Sequence, residues 1–194
     1  MVRRLLAGLL LASTVLPAAA HAKASRPAKD SGRIDVGGGY QWVQGGGGPA
    51  GLARFSWYLD PAWSLGLELG YGHDAARLSP GAVQLGLVDA GVGLSFHPIV
   101  LGPIIPYAAV GGGYRLVELT ENGHYHEGGT QAVYLGLGAW APLGGRFGVF
   151  LEDRYIFSST TAQVAGKDVV TRIGGNMLWA GLVVTFEPEP PIAQ

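Results

Sequence analysis

Cysteine and charge are what this sequence has least of. None of its 194 residues is a cysteine, which excludes a disulfide and a lipid-modified N-terminus. Only 14% of the residues are charged, against roughly 25% in an average soluble domain. Acidic residues outnumber Lys and Arg by 14 to 13, so we expect no basic face for nucleic acid. Long segments with helical periodicity are also missing.

Glycine and apolar residues take the place of the missing charges. The 33 glycines are about twice the usual share of roughly 7%, which alone would suggest low complexity. They occur together with 48% hydrophobic residues, 5 Trp and 8 Tyr, a composition too apolar for a solvated linker. The chain therefore has the apolar surface of a folded domain and few charges to keep that surface in water.

Residues 1–22 have the pattern of a cleaved secretory signal peptide. Arg3 and Arg4 precede an apolar run from Leu5 to Leu16, and small residues lead up to Ala22. The run is too short for a retained membrane helix, which needs about 20 residues. Cleavage would leave 11 basic and 14 acidic residues, a polar segment over 23–32, a folded domain over 33–186 and a Pro/Glu-rich tail over 187–194.

The folded domain alternates apolar residues with small or polar ones on a period of two, which predicts strands. Eight segments show this pattern: Ile34–Trp42, Ala53–Leu59, Trp63–Tyr71, Val88–Phe96, Ala108–Leu116, Val133–Ala141, Phe147–Phe157 and Leu178–Phe186. Glycine dominates the less apolar face, as suits a crowded interior, and longer links fall mostly at every second connection. We predict an all-β fold, an eight-stranded antiparallel up-and-down transmembrane β-barrel with its apolar face towards lipid.

Two tight turns predict the pairing of their flanking strands. Centring one hairpin on Pro61 places Arg54 opposite Glu68 on the polar face. Centring the other on Gly144 places Trp140 opposite Gly148 and Phe150 opposite Gly138, a pairing of large with small residues that suits a narrow lumen.

The signal peptide, the amphipathic strands and the aromatic end of the last strand together resemble the small outer-membrane β-barrel family. This is the group around the OmpA transmembrane domain and the OmpX- and OmpW-like proteins. The most specific element is Gly181–Phe186, which is similar to the terminal strand signal read by the barrel-assembly machinery. The tail resembles the start of the Pro-rich hinge of OmpA-like proteins, but we expect no peptidoglycan-binding domain here.

Parity along the strands predicts which side chains face the lumen and which mark the membrane boundary. We expect a lumenal ion-pair network of four acids and three arginines, Asp35, Arg54, Glu68, Asp89, Arg115, Glu152 and Arg154. We expect an aromatic rim of Trp42, Trp63, Tyr71 and Phe186 at the two interfaces. Asp153 falls on the lipid-facing side, where a carboxylate is costly.

The sequence gives little support for a metal site or for enzymatic activity. His124 and His126 could share a face of a strand-like loop and bind a metal, but a plain surface loop is favoured because no Cys or further His lies nearby. No His is followed two residues later by Ser, the pair used by barrels that resemble lipid A deacylases. We expect no enzymatic activity, no cofactor and no metal.

The interpretation we favour is a monomeric outer-membrane protein with a structural or surface-interaction role and a side-chain-filled lumen. Residues 23–32 and the tail would lie in the periplasm. Its partners would be outer-membrane lipid, lipopolysaccharide and the barrel-assembly machinery. Two alternatives remain: a narrow OmpW-like conduit for small apolar molecules, and a soluble exported lipocalin-like binder in which Trp42, Trp57 and Trp63 would line an interior pocket.

Overall fold

A computed structural model describes residues 27–43, 46–78, 81–121, 124–164 and 167–187. The described residues form strands and the links between them, without helices. The strands are β1 (Gly32–Val43), β2 (Gly46–Tyr58), β3 (Trp63–Leu78), β4 (Gly81–Phe96), β5 (Ile105–Glu121), β6 (His124–Gly144), β7 (Phe147–Val164), β8 (Lys167–Arg172) and β9 (Gly175–Phe186).

The strands close into one antiparallel barrel. Strands β1 to β7 each pair with the next in sequence, and β9 pairs with both β7 and β1, which closes the ring. The short β8 pairs only with the far part of β7. Eight strands therefore form the wall, β1–β7 and β9, and the predicted eight-stranded antiparallel up-and-down barrel is confirmed.

Three hairpins continue far beyond the expected strand ends. They run through β3 and β4, β5 and β6, and β7 and β8, whereas β1 and β2 are joined across residues 44–45. The sequence of these extensions lacks clear alternation because neither of their faces has to meet lipid, while backbone pairing needs no particular side-chain pattern. The barrel thus has one end of short turns and one end of long hairpins, which we call the turn end and the hairpin end.

One predicted hairpin register is confirmed and the other is wrong by two residues. Arg54 lies opposite Glu68, as predicted. In the later hairpin Trp140 lies opposite Phe150, not Gly148, because the turn lies at Gly145 and Arg146, between the paired residues Gly144 and Phe147, and one extra residue lies in β6 between Pro142 and Gly144. Gly144 and Gly145 both have positive φ angles, which glycine adopts without steric strain, so the chain can form this turn. Since the shift is two residues, every side chain keeps its predicted face.

Large side chains in the barrel fit where the facing strands offer glycine. Tyr134 of β6 lies over Gly111 of β5 and Gly93 of β4. A Cβ added to Gly111 would come within 2.5 Å of the Tyr134 ring, closer than real Cβ contacts. These glycines therefore make room for an interior Tyr, which explains part of the high glycine content.

The outside of the barrel is apolar, and its inside is polar and aromatic. Along β3, Leu65, Leu67 and Leu69 are exposed by 50%, 61% and 64%, whereas Ser64 and Glu68 on the opposite face of the strand are buried. The same alternation runs around the wall, so that most exposed side chains on the exterior are Leu, Val, Phe and Trp. Among the described residues, no helix is long and apolar enough to cross a membrane.

Candidate functional site in the barrel interior

Strand register brings the interior charges together. Asp35 of β1 lies opposite Arg54 of β2, which in turn lies opposite Glu68 of β3, so the three side chains stand in one row across the interior wall. Glu152 and Arg154 of β7 are two residues apart and therefore share a face. The small barrel diameter then places β7 within side-chain reach of β2 and β3.

Arg54 lies at the centre of this group. Its guanidinium donates to Asp35 Oδ2 at 2.8 Å, to Glu152 Oε2 at 2.8 Å and to the Tyr107 hydroxyl at 3.1 Å. The Tyr107 hydroxyl also donates to Glu152 Oε2 at 2.7 Å. The Arg54 side chain is almost fully buried, so each contact satisfies a charge that water cannot reach.

Arg154 forms the second half of the same network. It donates to Glu68 Oε2 at 2.8 Å and to Glu152 Oε1 at 2.6 Å, and the Tyr134 hydroxyl donates to Glu68 Oε1 at 2.8 Å. The Arg154 Cζ atom also lies 3.9 Å from the centre of the Tyr134 ring, a cation–π contact. Glu152 therefore joins the two arginines, and the network is continuous from β1 to β7.

Sequence reasoning missed one member, Arg33. Its guanidinium forms a bidentate pair with Asp35, and the side chain is buried beside Trp140, whose ring centre lies 5.1 Å from Cζ. The predicted first strand began at Ile34, so Arg33 fell outside it. Parity was the available signal, because Arg33 and Asp35 are two residues apart on one strand.

The two remaining predicted residues, Arg115 and Asp89, form a pair that stands apart from this network. Arg115 of β5 forms a bidentate pair with Asp89 of β4 at 2.6 and 2.7 Å, and also donates to the Ile173 carbonyl at 2.9 Å. All seven predicted residues thus line the interior, in two groups. With Arg33, the described interior ion pairs comprise four arginines and four carboxylates, so their formal charges balance: Arg33, Arg54, Arg115, Arg154, Asp35, Glu68, Asp89 and Glu152.

A small cavity separates the two groups of ion pairs. Its volume of about 40 Å³ has room for two or three waters, and Glu68, Asp89, Arg115 and Arg154 are among its lining residues. Towards the hairpin end the interior contains the buried Gln41 and an apolar cluster of Val43, Leu87, Val117 and Ile173. The interior therefore offers charges and room for water in its middle and an apolar plug nearer the hairpin end.

The turn end of the interior is closed by rings around His97. This residue follows β4, is buried, and has its ring centre 5.3 Å from Tyr58 and 5.4 Å from Tyr107. Burial, together with the positive charges of Arg33 and Arg54, lowers the pKa of His97 to about 3. Its Nε2 lies 3.3 Å from Ser64 Oγ, and Nδ1 has no hydrogen-bond partner within the described part of the structure.

The predicted rim residues lie on the exterior at the two ends of the apolar surface. Trp63 and Phe186 are at the turn end, and the Trp63 ring packs 4.6 Å from Phe96. Trp42 and Tyr71 are on the hairpin side, and the Trp42 ring lies 4.9 Å from Tyr40. Exposed aromatics at two levels are typical of the two interfaces of a membrane.

Two further predicted features have different outcomes. Asp153 is exposed on the exterior of β7, opposite Leu137 and Leu178, on the face that parity predicts. The backbone at His124 and His126 belongs to β6, but their side chains lie outside the described part of the structure. Within that part, no group of three or more His, Asp or Glu side chains could hold a metal ion.

An apolar exterior around a charge-filled interior reverses the arrangement of a water-soluble barrel and defines a transmembrane β-barrel. The lipocalin-like alternative is wrong on this point: Trp42, Trp57 and Trp63 are exposed by 46%, 45% and 39% and line no interior pocket. The filled interior also agrees with the size of an eight-stranded barrel, which is just wide enough for side chains.

Solved structures show the same fold, and they are small outer-membrane barrels. The N-terminal β-barrel domain of Pseudomonas aeruginosa OprF is 12% identical with a TM-score of 0.56, and the match covers 81% of this chain and 98% of that domain. Neisserial surface protein A is 12% identical with a TM-score of 0.60, covering 79% and 95%. Pseudomonas aeruginosa OprG is 11% identical with a TM-score of 0.60, covering 84% and 98%. No family model and no curated protein sequence matches the chain.

Proposed function

We propose that this chain is an integral outer-membrane protein, exported through a cleaved signal peptide, with a structural or surface-interaction role rather than an enzymatic one. The proposal rests on the distribution of side chains in the barrel, which is the reverse of that in a water-soluble barrel. Exposed Leu, Val and aromatic side chains surround an interior of ion pairs whose formal charges balance. In water the exterior would be an aggregation-prone surface far larger than a soluble monomer exposes. In lipid the same surface is satisfied, and the four arginines and four carboxylates of the described interior pair with one another.

The three long hairpins supply the surface role in this proposal. They extend from the hairpin end, which we assign to the outside, and the turn end faces the periplasm together with residues 23–32 and the tail. Long outer loops over short periplasmic turns are the usual arrangement of such barrels. The barrel would meet outer-membrane lipid and lipopolysaccharide around its wall, act as a monomer, and reach the membrane through an assembly signal that ends at Phe186.

The decisive experiment is refolding with and without lipid. Mature protein is refolded into detergent or vesicles and run on a gel without boiling, and we expect a folded form that migrates differently from the boiled form. Ser56→Leu and Phe55→Leu are a matched pair, because Ser56 is buried inside and Phe55 is exposed outside. Phe55→Leu should refold and Ser56→Leu should refold less. A protein that stays folded and soluble without detergent would contradict the proposal.

A conduit remains the second candidate, since the cavity beside Arg115 and Arg154 provides polar space in the middle of the lumen. The apolar cluster nearer the hairpin end and the closed network nearer the turn end both interrupt it. Single-channel recording distinguishes the two roles: a conduit changes conductance in Arg54→Ala or Glu68→Ala, and a structural barrel is silent in the wild type.

A further inference from the structure

The link between β4 and β5, residues 97–104, differs in chemistry from the other links at the turn end. Its sequence, HPIVLGPI, contains no Asp, Glu, Lys or Arg, whereas the link between β2 and β3 contains Asp60 and the link between β6 and β7 contains Arg146. Three large aliphatic side chains of the link are exposed: Ile99, Leu101 and Ile104. Contiguous apolar side chains on a surface indicate that something other than water covers them.

Backbone pairing determines which way these side chains point. Leu101 and Ile104 each donate an N–H to the carbonyl of the other, at 2.8 and 3.1 Å, around a short turn in which Gly102 has a φ of 61°. Residues directly opposite each other in an antiparallel pair lie on the same face. Ile104 precedes the buried Ile105 and therefore lies on the exterior face of β5. Leu101 shares this exterior face, which is continuous with the apolar wall.

The inner side of the link is attached to the barrel. Val100 packs against the buried interior cluster, and the His97 backbone N–H donates to the Ala62 carbonyl at 2.7 Å. Proline has no backbone N–H, so Pro98 and Pro103 reduce the number of donors that the link must satisfy away from water. The link is therefore a turn fixed to the barrel on one side, with an apolar outer side.

Strand register gives the height of this link relative to the aromatic rim. Following paired residues once around the wall from Ile105 leads back to β5 at Arg115, ten residues further along. The path runs through Trp140, Phe150, Gly181, Gly37, Leu52, Gly70 and Asp89. This stagger gives a strand tilt of about 40°, so the height changes by about 2.5 Å per residue along a strand and by about 3 Å per step between strands. Trp63 and Phe186 of the rim then lie within about 4 Å of the level of Ile104.

We propose that the outer side of this link inserts into the membrane leaflet at the turn end, with Ile99, Leu101 and Ile104 against the acyl chains just below the headgroups. The occupant is lipid because the outer side continues the lipid-facing wall at the level of the aromatic rim. Three aliphatic side chains also fall far short of the roughly 800 Å² per partner that a stable protein interface buries. This inference rests on the proposed membrane location of the barrel.

Spin labels on the full mature chain in phosphatidylcholine vesicles test this contact. Leu101→Cys and Ile104→Cys place labels on the link, Leu67→Cys is the reference in the wall, and the exposed Lys29→Cys is the reference in water. For each label, collision with oxygen and with a water-soluble nickel chelate is measured. Burial of an apolar group of this size is favoured by about tenfold or more. We therefore expect the oxygen-to-nickel collision ratio at Leu101 and Ile104 to exceed that at Lys29 by about tenfold and to approach that at Leu67.

Heat-modified migration first shows that each labelled variant is folded. Nickel collision as frequent at Leu101 as at Lys29, with Leu67 shielded, overturns the insertion of the link and leaves the membrane location intact. Free nickel collision at Leu67 refutes the membrane location as well. A label at Leu101 that is shielded from both oxygen and nickel also overturns the proposal, because protein, not lipid, then covers the link.

Discussion

Removing the Arg54 guanidinium should destabilise the barrel through the carboxylates that it leaves behind. In Arg54→Leu, Asp35 keeps Arg33 and Glu152 keeps Arg154, but four arginines against four carboxylates become three against four. Breaking a buried pair from one side costs about 3–5 kcal/mol. The variant can remove the unpaired charge by protonating one carboxylate. For a carboxyl of ordinary pKa this costs about 3.7 kcal/mol at pH 7, so the loss in the free energy of unfolding cannot exceed that value by much. We therefore expect a loss of about 3–4 kcal/mol in the free energy of unfolding.

The same reasoning predicts how this loss depends on pH and on a second substitution. At pH 5 the cost of protonating one carboxylate falls to about 1 kcal/mol. The difference in the free energy of unfolding between Arg54→Leu and the wild type should therefore be smaller at pH 5 than at pH 7. The double variant Arg54→Leu/Glu152→Leu restores equal charges and leaves the pairs of Arg33 with Asp35 and of Arg154 with Glu68. It should be more stable than the single variant, because replacing both partners avoids an unpaired buried charge.

Urea unfolding in detergent micelles, followed by tryptophan fluorescence at pH 7 and pH 5, measures both effects. Trp179 is a suitable reporter because its ring lies 5.5 Å from Arg54 Cζ. A deficit of Arg54→Leu that is the same at both pH values, or a double variant less stable than the single one, would refute the assignment of a charge-balanced interior.

Two further predictions concern packing and pH. Gly111→Ala should lower the free energy of unfolding by about 1–3 kcal/mol, because its Cβ would clash with the Tyr134 ring. Gly38→Ala is the control and should cost much less, because the atom nearest to its Cβ would be 3.6 Å away. Equal urea midpoints for the two variants would contradict this packing. For His97, whose pKa is lowered to about 3 in the folded barrel from the usual 6.5, the unfolded chain takes up a proton first as the pH falls. Stability linked to His97 is therefore complete above pH 6.5 and falls towards pH 3, by about 2 kcal/mol at pH 5. His97→Gln should remove this part of the pH slope, and an unchanged slope in urea titrations would contradict it.

The alternation of the sequence was sufficient to predict the barrel, because lipid outside and crowding inside impose opposite chemistry on neighbouring residues. Parity placed Arg54, Glu68 and the other predicted charges on the interior face without any knowledge of their partners. It could not tell which charges meet, since Arg54 reaches Glu152 across the lumen and not along a strand pair. Cross-lumen contacts depend on barrel diameter and stagger, which no local pattern encodes.

The errors arose where the backbone departs from regular pairing. The register of the hairpin before Phe147 was wrong because the turn lies at Gly145 and Arg146 rather than on Gly144, and because the bulge near Leu143 has no side-chain signature. The extensions of the strands beyond Tyr71, Leu116 and Phe157 fell in the longer links of the prediction, because the sequence there does not alternate clearly. Arg33 was left out of the predicted first strand because strand ends are poorly defined in a sequence when the flanking residues are polar.

The central claim, that the apolar face of the wall meets lipid, is tested most directly by spin labels on β3. The chain has no cysteine, so single cysteines at Leu65, Leu67 and Leu69 label only those sites. In lipid vesicles we expect all three labels to collide with oxygen and to be shielded from a water-soluble nickel chelate, with the strongest shielding at Leu67, midway between Trp63 and Tyr71. Free access of the nickel chelate to the label at Leu67 would contradict the account.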